Sequence, residues 1–296
     1  MPNWGEILDE ITGTNTDTVR RKYIRNVHEI TGRNIIIYYS GFIQKPGESA
    51  SSISDEDKNG LMAVIHKLDK SKGLDLFLHT PGGGIAATES IIHYLHSIFG
   101  NNIRAVIPQM AMSAGTMIAL SSKAIIMGKQ SSIGPIDPQY GGISAAGVLE
   151  EFEQAIKQVT ENQASSLVWQ NIIKQYHPTF VGDCQKAVDF ASKFVQKCLE
   201  DCMFEEYNQT ERRKRAKKIV NELSDHNRTK SHDRHIPIDD CIRLGINVIP
   251  MEEYLKEKNY QDAVLSVHHC CMHTFAMSKA IKIVENHLGS AMIRNV

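Results

Sequence analysis

Residues 103–121 read IRAVIPQMAMSAGTMIALS. The first six form a short apolar run with the length and β-branched content of a buried strand. Residues 109–114 are small and flexible and read as a turn. Residues 115–121 are apolar and helix-compatible. Ser113 therefore stands where a strand gives way to a helix. A hydroxyl placed there lies at the carboxyl end of the strand, and the unpaired N–H groups of the following helix point back at it. This is the local geometry of a nucleophile elbow with half of an oxyanion hole attached. The elbow pattern G-x-S-x-G is half met, because Gly115 is present but Ala111 stands at the first glycine position. The competing reading is that Ser113 only N-caps a buried helix.

Upstream, residues 74–84 read LDLFLHTPGGG, a strand running straight into a glycine-rich turn. The helix that follows carries Ile91, Ile92, Leu95 and Ile98 as its apolar stripe. Residues 34–42, NIIIYYSGF, are a further strand, and residues 44–54 a Gly/Ser/Pro-rich loop. Ser54 is expected to cap a helix whose core face is Leu61, Val64, Ile65 and Leu68, with the acidic SDED in its first turn. The order strand, helix, strand, helix, strand, helix predicts an α/β fold with a largely parallel sheet. In such sheets the working groups gather outside the carboxyl ends of the strands. The PGGG turn and Ser113 both fall at that edge.

Downstream, residues 124–127 are a fourth strand. Residues 128–142 form a loop in which Asp137 is framed by Pro135 and Pro138. Residues 148–223 are mostly helical, residues 238–244 make a short helix ended by Gly245, and residues 247–249 a short strand. Residues 225–232 are polar and loop-like, and residues 260–288 are expected to form one long helix. Residues 1–33 read as a helical lead-in, residues 34–250 as the main domain with its helical insertion, and residues 251–296 as a helical extension.

Composition narrows the function classes. The chain has 296 residues, 42% hydrophobic and 23% charged, with a formal net charge of −1. No global field draws it to nucleic acid or an acidic membrane. Its start lacks the basic and apolar regions of a signal peptide, and no apolar run is long enough to span a bilayer. Six scattered cysteines make no disulfide framework, so a cytoplasmic location is expected. Cys198 and Cys202 share a helix face and read as buried thiols, and packing or exposure accounts for His268, His269 and His273 better than metal binding, so neither a metal nor a cofactor is expected. Arg212, Arg213, Lys214, Arg215, Lys217 and Lys218 read as a solvated helix face.

The PGGG turn is followed by no G-K-[ST], which argues against nucleotide binding. Its glycines instead suit an oxyanion hole, with the Gly83 N–H joining that of Ala114. A serine nucleophile needs a base. Of thirteen histidines, His79, His232 and His235 lie in suitable segments, and spacing does not choose among them. Asp137 is held rigidly enough to orient one. The residues alone point to a hydrolase with a serine nucleophile.

HTPGGG, then MSAGTMIALS, SSIGPIDPQ and SHDRHIPIDDCIRLGINV, taken in this order, resemble the serine dehydrogenase proteinase family. That family is a branch of the Clp protease and crotonase fold, related to signal peptide peptidase A. The resemblance runs over residues 34–250. It implies a sheet of ββα units and a Ser, Asp, His chain order. The serine falls on Ser113, the aspartate on Asp137 and the histidine on His232. His235 replaces the family's proline and, with His79, is the alternative base. Gly83 and Ala114 match the oxyanion donors. The resemblance further implies acyl transfer to water from a peptide or protein substrate, and a homo-oligomer. Two other readings compete. One is a crotonase-type enzyme acting on an acyl thioester, with Ser113 structural. The other is a catalytically silent scaffold that binds peptides or partners.

Overall fold

The computed structural model describes residues 4–225 and 231–296. The expected α/β alternation is present. β1 (Asn34–Ser40), β2 (Leu74–His79), β3 (Ile103–Ile107) and β5 (Ala124–Met127) are parallel neighbours, with β10 (Val248–Pro250) parallel to β5 at one edge. The central sheet has seven strands in the order β10-β5-β3-β2-β1-β11-β12, in which β11 is Ala280–Asn286 and β12 is Ala291–Asn295. Strand alternation sorts side chains between its two faces. Ile36, Tyr38, Leu76, Leu78, Ala105 and Ile107 face one core, and Ile35, Ile37, Tyr39, Phe77, Val106 and Ile126 face the other.

The first core is closed by α3 (Glu56–Ile65), α4 (Ile85–Phe99) and α5 (Ala114–Leu120). The second is closed by α2 (Thr16–Thr31), behind α1 (Trp4–Thr12), and by a helix near the C-terminus. The stretch expected to be mostly helical contains α6 (Ala145–Glu161), α7 (Ser166–Ile173), α8 (Phe180–Cys198) and α9 (Gln209–Ser224). α8 and α9 pack on the first core through Ala191, Val195, Ile219 and Val220. In α9, Arg212 bonds the carbonyls of Tyr207 and Glu205, and Arg215 pairs with Glu211. Part of the basic cluster therefore holds its own helix entry. Of the loop read over residues 225–232, residues 226–230 lie outside the described residues.

Two expectations are corrected. The C-terminal stretch is not one helix. α10 (Ile238–Leu244) is followed by α11 (Tyr260–Met277), and the chain then turns extended at Ser278. β11 (Ala280–Asn286) enters the central sheet antiparallel to β1, and β12 (Ala291–Asn295) pairs with β11. Ile281, Ile283 and Val284 keep an apolar pattern that a helix would tolerate, but their β-branching favours a strand. Ser54 also does not cap α3. Asp55 holds that position, and the Ser54 N–H donates to Asp57 Oδ2 at 2.8 Å.

The second core buries histidines that stay neutral. His79 and His287 are almost wholly covered, and burial pulls them down to about 3 and about 4. Burial also holds His268 well below the usual histidine range. An unfolded chain protonates these rings near pH 6.5, and the folded chain does not. The unfolded state thus binds more protons below that pH, and stability falls as pH drops from 6.5 toward 4. The expected loss between pH 7 and pH 5 is about 2 kcal/mol per histidine. Urea unfolding of the wild type and His79→Phe at both pH values checks this. The variant should lose less stability on acidification, and equal losses would contradict the assignment.

Candidate active site

A second, three-stranded sheet assembles the site. β4 (Met110–Ala111) runs parallel to β6 (Ser132–Ile133), and β6 runs antiparallel to β9 (Ile236–Pro237). Ala111, Ile133 and Ile236 share one row. Moving off one end of this sheet leads forward from β4 to Ser113, forward from β6 to Asp137, and backward from β9 to His232. Three residues far apart in sequence leave the same end because the third strand is reversed. These strands are two residues long, too short for a periodicity signal.

His232 Nδ1 lies 2.8 Å from Asp137 Oδ1. The Asp137 side chain is fully buried and that of His232 is 20% exposed. A carboxylate only accepts, so Nδ1 carries the proton and Nε2 is left as the basic nitrogen. Ser144 Oγ donates to Asp137 Oδ2 at 3.2 Å and also accepts from the Gly147 N–H, so the start of α6 steadies the aspartate. Sequence reasoning passed over Ser144, although a serine opening a helix was the available signal.

The other two histidines lie elsewhere. His235 Nδ1 is 2.8 Å from Ser132 Oγ, and its ring is not on Asp137. His79 is fully buried on the face opposite α5, against Tyr39, Phe42 and His268. Neither of its ring nitrogens has a hydrogen-bond partner among the described residues. Strand alternation sends His79 to the same side as Phe77, away from Ser113. Lys123, also near the elbow in sequence, is drawn off to Glu205 and Glu206.

Ser113 has φ 51° and ψ −117°, and its side chain makes no capping bond. A serine that merely capped α5 would sit in the extended region and accept from the helix N–H groups. A non-glycine residue at positive φ carries strain of about 1–3 kcal/mol that its surroundings must hold. Those surroundings are tight. A Cβ on Gly82, itself at φ 100°, would lie 2.7 Å from Ser113 Cβ and 3.0 Å from the Ala114 nitrogen. A Cβ on Gly115 would lie 2.4 Å from Thr80 Cγ2, which is why the elbow needs glycine there. Thr116 Oγ1 lies 2.8 Å from the Ala111 carbonyl oxygen and 3.0 Å from that of Gly134, and it accepts from the Gly134 N–H. One hydroxyl thus ties the elbow to the segment that carries Asp137. Ser113 Oγ itself makes no hydrogen bond with a described residue.

The glycine turn is pinned from the other side. The Ile53 N–H donates to the Gly82 carbonyl at 2.8 Å, and the Gly84 N–H donates to the Ile53 carbonyl at 2.9 Å. In this parallel bridge Gly83's own N–H points away from Ile53. The Gly83 and Ala114 N–H groups have no hydrogen-bond partner among the described residues. An open cleft of about 410 Å³ runs past His232, lined also by Gln139, Ile143, Ser144 and Tyr176.

No group of three His, Cys, Asp or Glu among the described residues is placed to hold a metal ion. Cys198 and Cys202 are free thiols that burial pushes up to about 12. No helix among the described residues is long and apolar enough to cross a membrane.

Comparison with known proteins fits this geometry. Two uncharacterised proteins of Methanocaldococcus jannaschii are each 30% identical to the chain. The first matches over 215 residues, 72% of this chain and 67% of its own length. The second matches over 205 residues, 68% of this chain and 62% of its own length. The sequence model of the ClpP-like SDH-type serine proteinases matches residues 14–272, a span that contains the elbow, the glycine turn, Asp137 and His232. By that match, which covers most of its length, the chain belongs to the ClpP-like SDH-type serine proteinase family.

Proposed function

We propose that the chain is a serine peptidase that hydrolyses peptide bonds through an acyl-enzyme. The observation that carries this reading is the 2.8 Å His232–Asp137 bond at the sheet end from which the strained Ser113 also emerges. His232 Nε2 closes onto Ser113 Oγ when substrate binds, since such bonds often tighten only in the substrate complex. Ser113 Oγ attacks the amide carbonyl as Nε2 takes its proton. Asp137 holds the imidazole in the tautomer this requires and stabilises the imidazolium. The carbonyl oxygen, now negative, sits between the Gly83 and Ala114 N–H groups. Collapse of the adduct breaks the C–N bond, and the amine leaves with the proton from His232. Water then attacks the ester by the same steps and frees Ser113.

The same proposal includes a homo-oligomer within a reducing, cytoplasmic setting. Ile156, Leu167 and Val168 of α6 and α7 are 69%, 70% and 61% exposed, which supports apolar contacts between copies. The six free thiols fit the setting.

Incubation with an unfolded protein and, separately, with acyl-coenzyme A thioesters tests the substrate class. New peptide termini found by mass spectrometry with the wild type, and absent with Ser113→Ala, are expected. Thioester turnover without peptide cleavage would transfer the site to the crotonase reading. Neither activity in the folded oligomer would favour the silent scaffold.

A further inference from the structure

Lys282 is fully buried on β11, beyond residue 272 where the family match ends. Its Nζ donates to Asp57 Oδ1 and Oδ2 at 2.7 and 2.9 Å and to the Ser52 carbonyl at 2.8 Å. Asp57 Oδ2 also accepts from Tyr38 Oη and from the Ser54 N–H, both at 2.8 Å. The network therefore grips Ser52 by its carbonyl and Ser54 by its N–H. Ile53, between them, forms the bridge that holds Gly82 and Gly84. The fit leaves no slack, because a Cβ on Gly83 would lie 2.3 Å from the Ile53 nitrogen.

We propose that the Asp57–Lys282–Tyr38 network is a positioning device that fixes the Gly83 N–H for the oxyanion through residues 52–54. This rests on the peptidase reading of the same site. Stability alone is a poor reason for such a network. Buried ion pairs replaced together by apolar groups often leave stability unchanged or raised, since desolvation offsets the attraction. What the charges supply is direction. A carboxylate and an ammonium can hold a carbonyl and an N–H on either side of Ile53, and an apolar pair cannot. None of the three side chains touches substrate in this scheme. They act through the backbone, and β11 brings in Lys282 from outside the matched span.

The test uses the paired variant Asp57→Leu/Lys282→Met, which leaves no lone buried charge, and Tyr38→Phe, which removes one bond and keeps the ion pair. Amide hydrogen exchange reads the positioning directly. In the paired variant the Ile53 and Gly84 amides should exchange about tenfold faster or more, while protection elsewhere is kept. Peptide kcat should fall about 100-fold with KM little changed. Affinity for a peptide boronate, which forms a tetrahedral adduct, should fall in parallel. Tyr38→Phe should move all three readouts the same way by less, and it decides the matter if the paired variant does not fold. Unchanged exchange at Ile53 and Gly84, or wild-type kcat in a variant with faster exchange there, overturns the proposal. A wild type that neither cleaves peptides nor binds the boronate overturns the peptidase reading, and the catalytic role of the network with it. That result is distinguishable because it appears before any variant is made.

Discussion

Ser113→Ala and His232→Ala should each lower kcat for peptide hydrolysis by about 10⁴- to 10⁶-fold, with little change in melting temperature. Ser113 supplies the bond-forming oxygen, and His232 is the only one of the three candidate histidines whose ring lies on Asp137. Asp137→Asn should cost about 10⁴-fold. The amide would present an N–H₂ group to Nδ1, favour the tautomer with Nε2 protonated, and remove the base without moving it. Losses of residues that act as a unit do not add, so Ser113→Ala/His232→Ala should be no worse than Ser113→Ala. His235→Ala should keep near-wild-type kcat, because its ring bonds Ser132. Steady-state kinetics on the four single variants and the double one checks all of this. A large loss in His235→Ala with an active His232→Ala would reverse the assignment.

Gly82→Ala should be the most damaging change of a residue without a reacting side chain, lowering kcat by about 10²- to 10³-fold. Its new Cβ would meet Ser113 Cβ at 2.7 Å, the Met112 carbonyl at 2.8 Å and the Ala114 nitrogen at 3.0 Å. Both the nucleophile and an oxyanion donor must then shift. Gly32→Ala is the control for backbone strain. Gly32 also has positive φ, 68°, but a Cβ there meets nothing within 4 Å. It should cost about 1 kcal/mol of stability and leave kcat alone. Equal activity in the two variants, measured by the same peptide assay with unfolding curves alongside, would mean that the crowding over Ser113 has no catalytic consequence.

The central sheet was legible because its parallel strands are buried on both faces and so read as continuous apolar runs, as in residues 34–40 and 74–79. The elbow was legible because the small residues around Ser113 sit between a clear strand and a clear helix. The small sheet was not. Met110–Ala111, Ser132–Ile133 and Ile236–Pro237 carry no pattern, yet their pairing brings Ser113, Asp137 and His232 to one end. Choosing His232 therefore needed the resemblance, and the residues alone left His79 and His235 open. Local propensity was also incomplete in two segments. SDED does supply the acidic first turn of α3, but nothing in it signalled that Asp57 is buried against Lys282. The segment after Met277 kept helix-compatible spacing, but pairing with β1 makes it a strand. Neither segment revealed the network that joins them, because a long-range ion pair leaves no local trace in either.

The most direct test of the central claim, that Ser113 is a nucleophile activated by His232, is labelling of the intact protein by a fluorophosphonate, read by mass. A single adduct per chain is predicted. It should map to Ser113, be absent from Ser113→Ala and His232→Ala, and persist in His235→Ala. Folded wild-type protein that takes no adduct, or an adduct that persists in Ser113→Ala, would contradict the account.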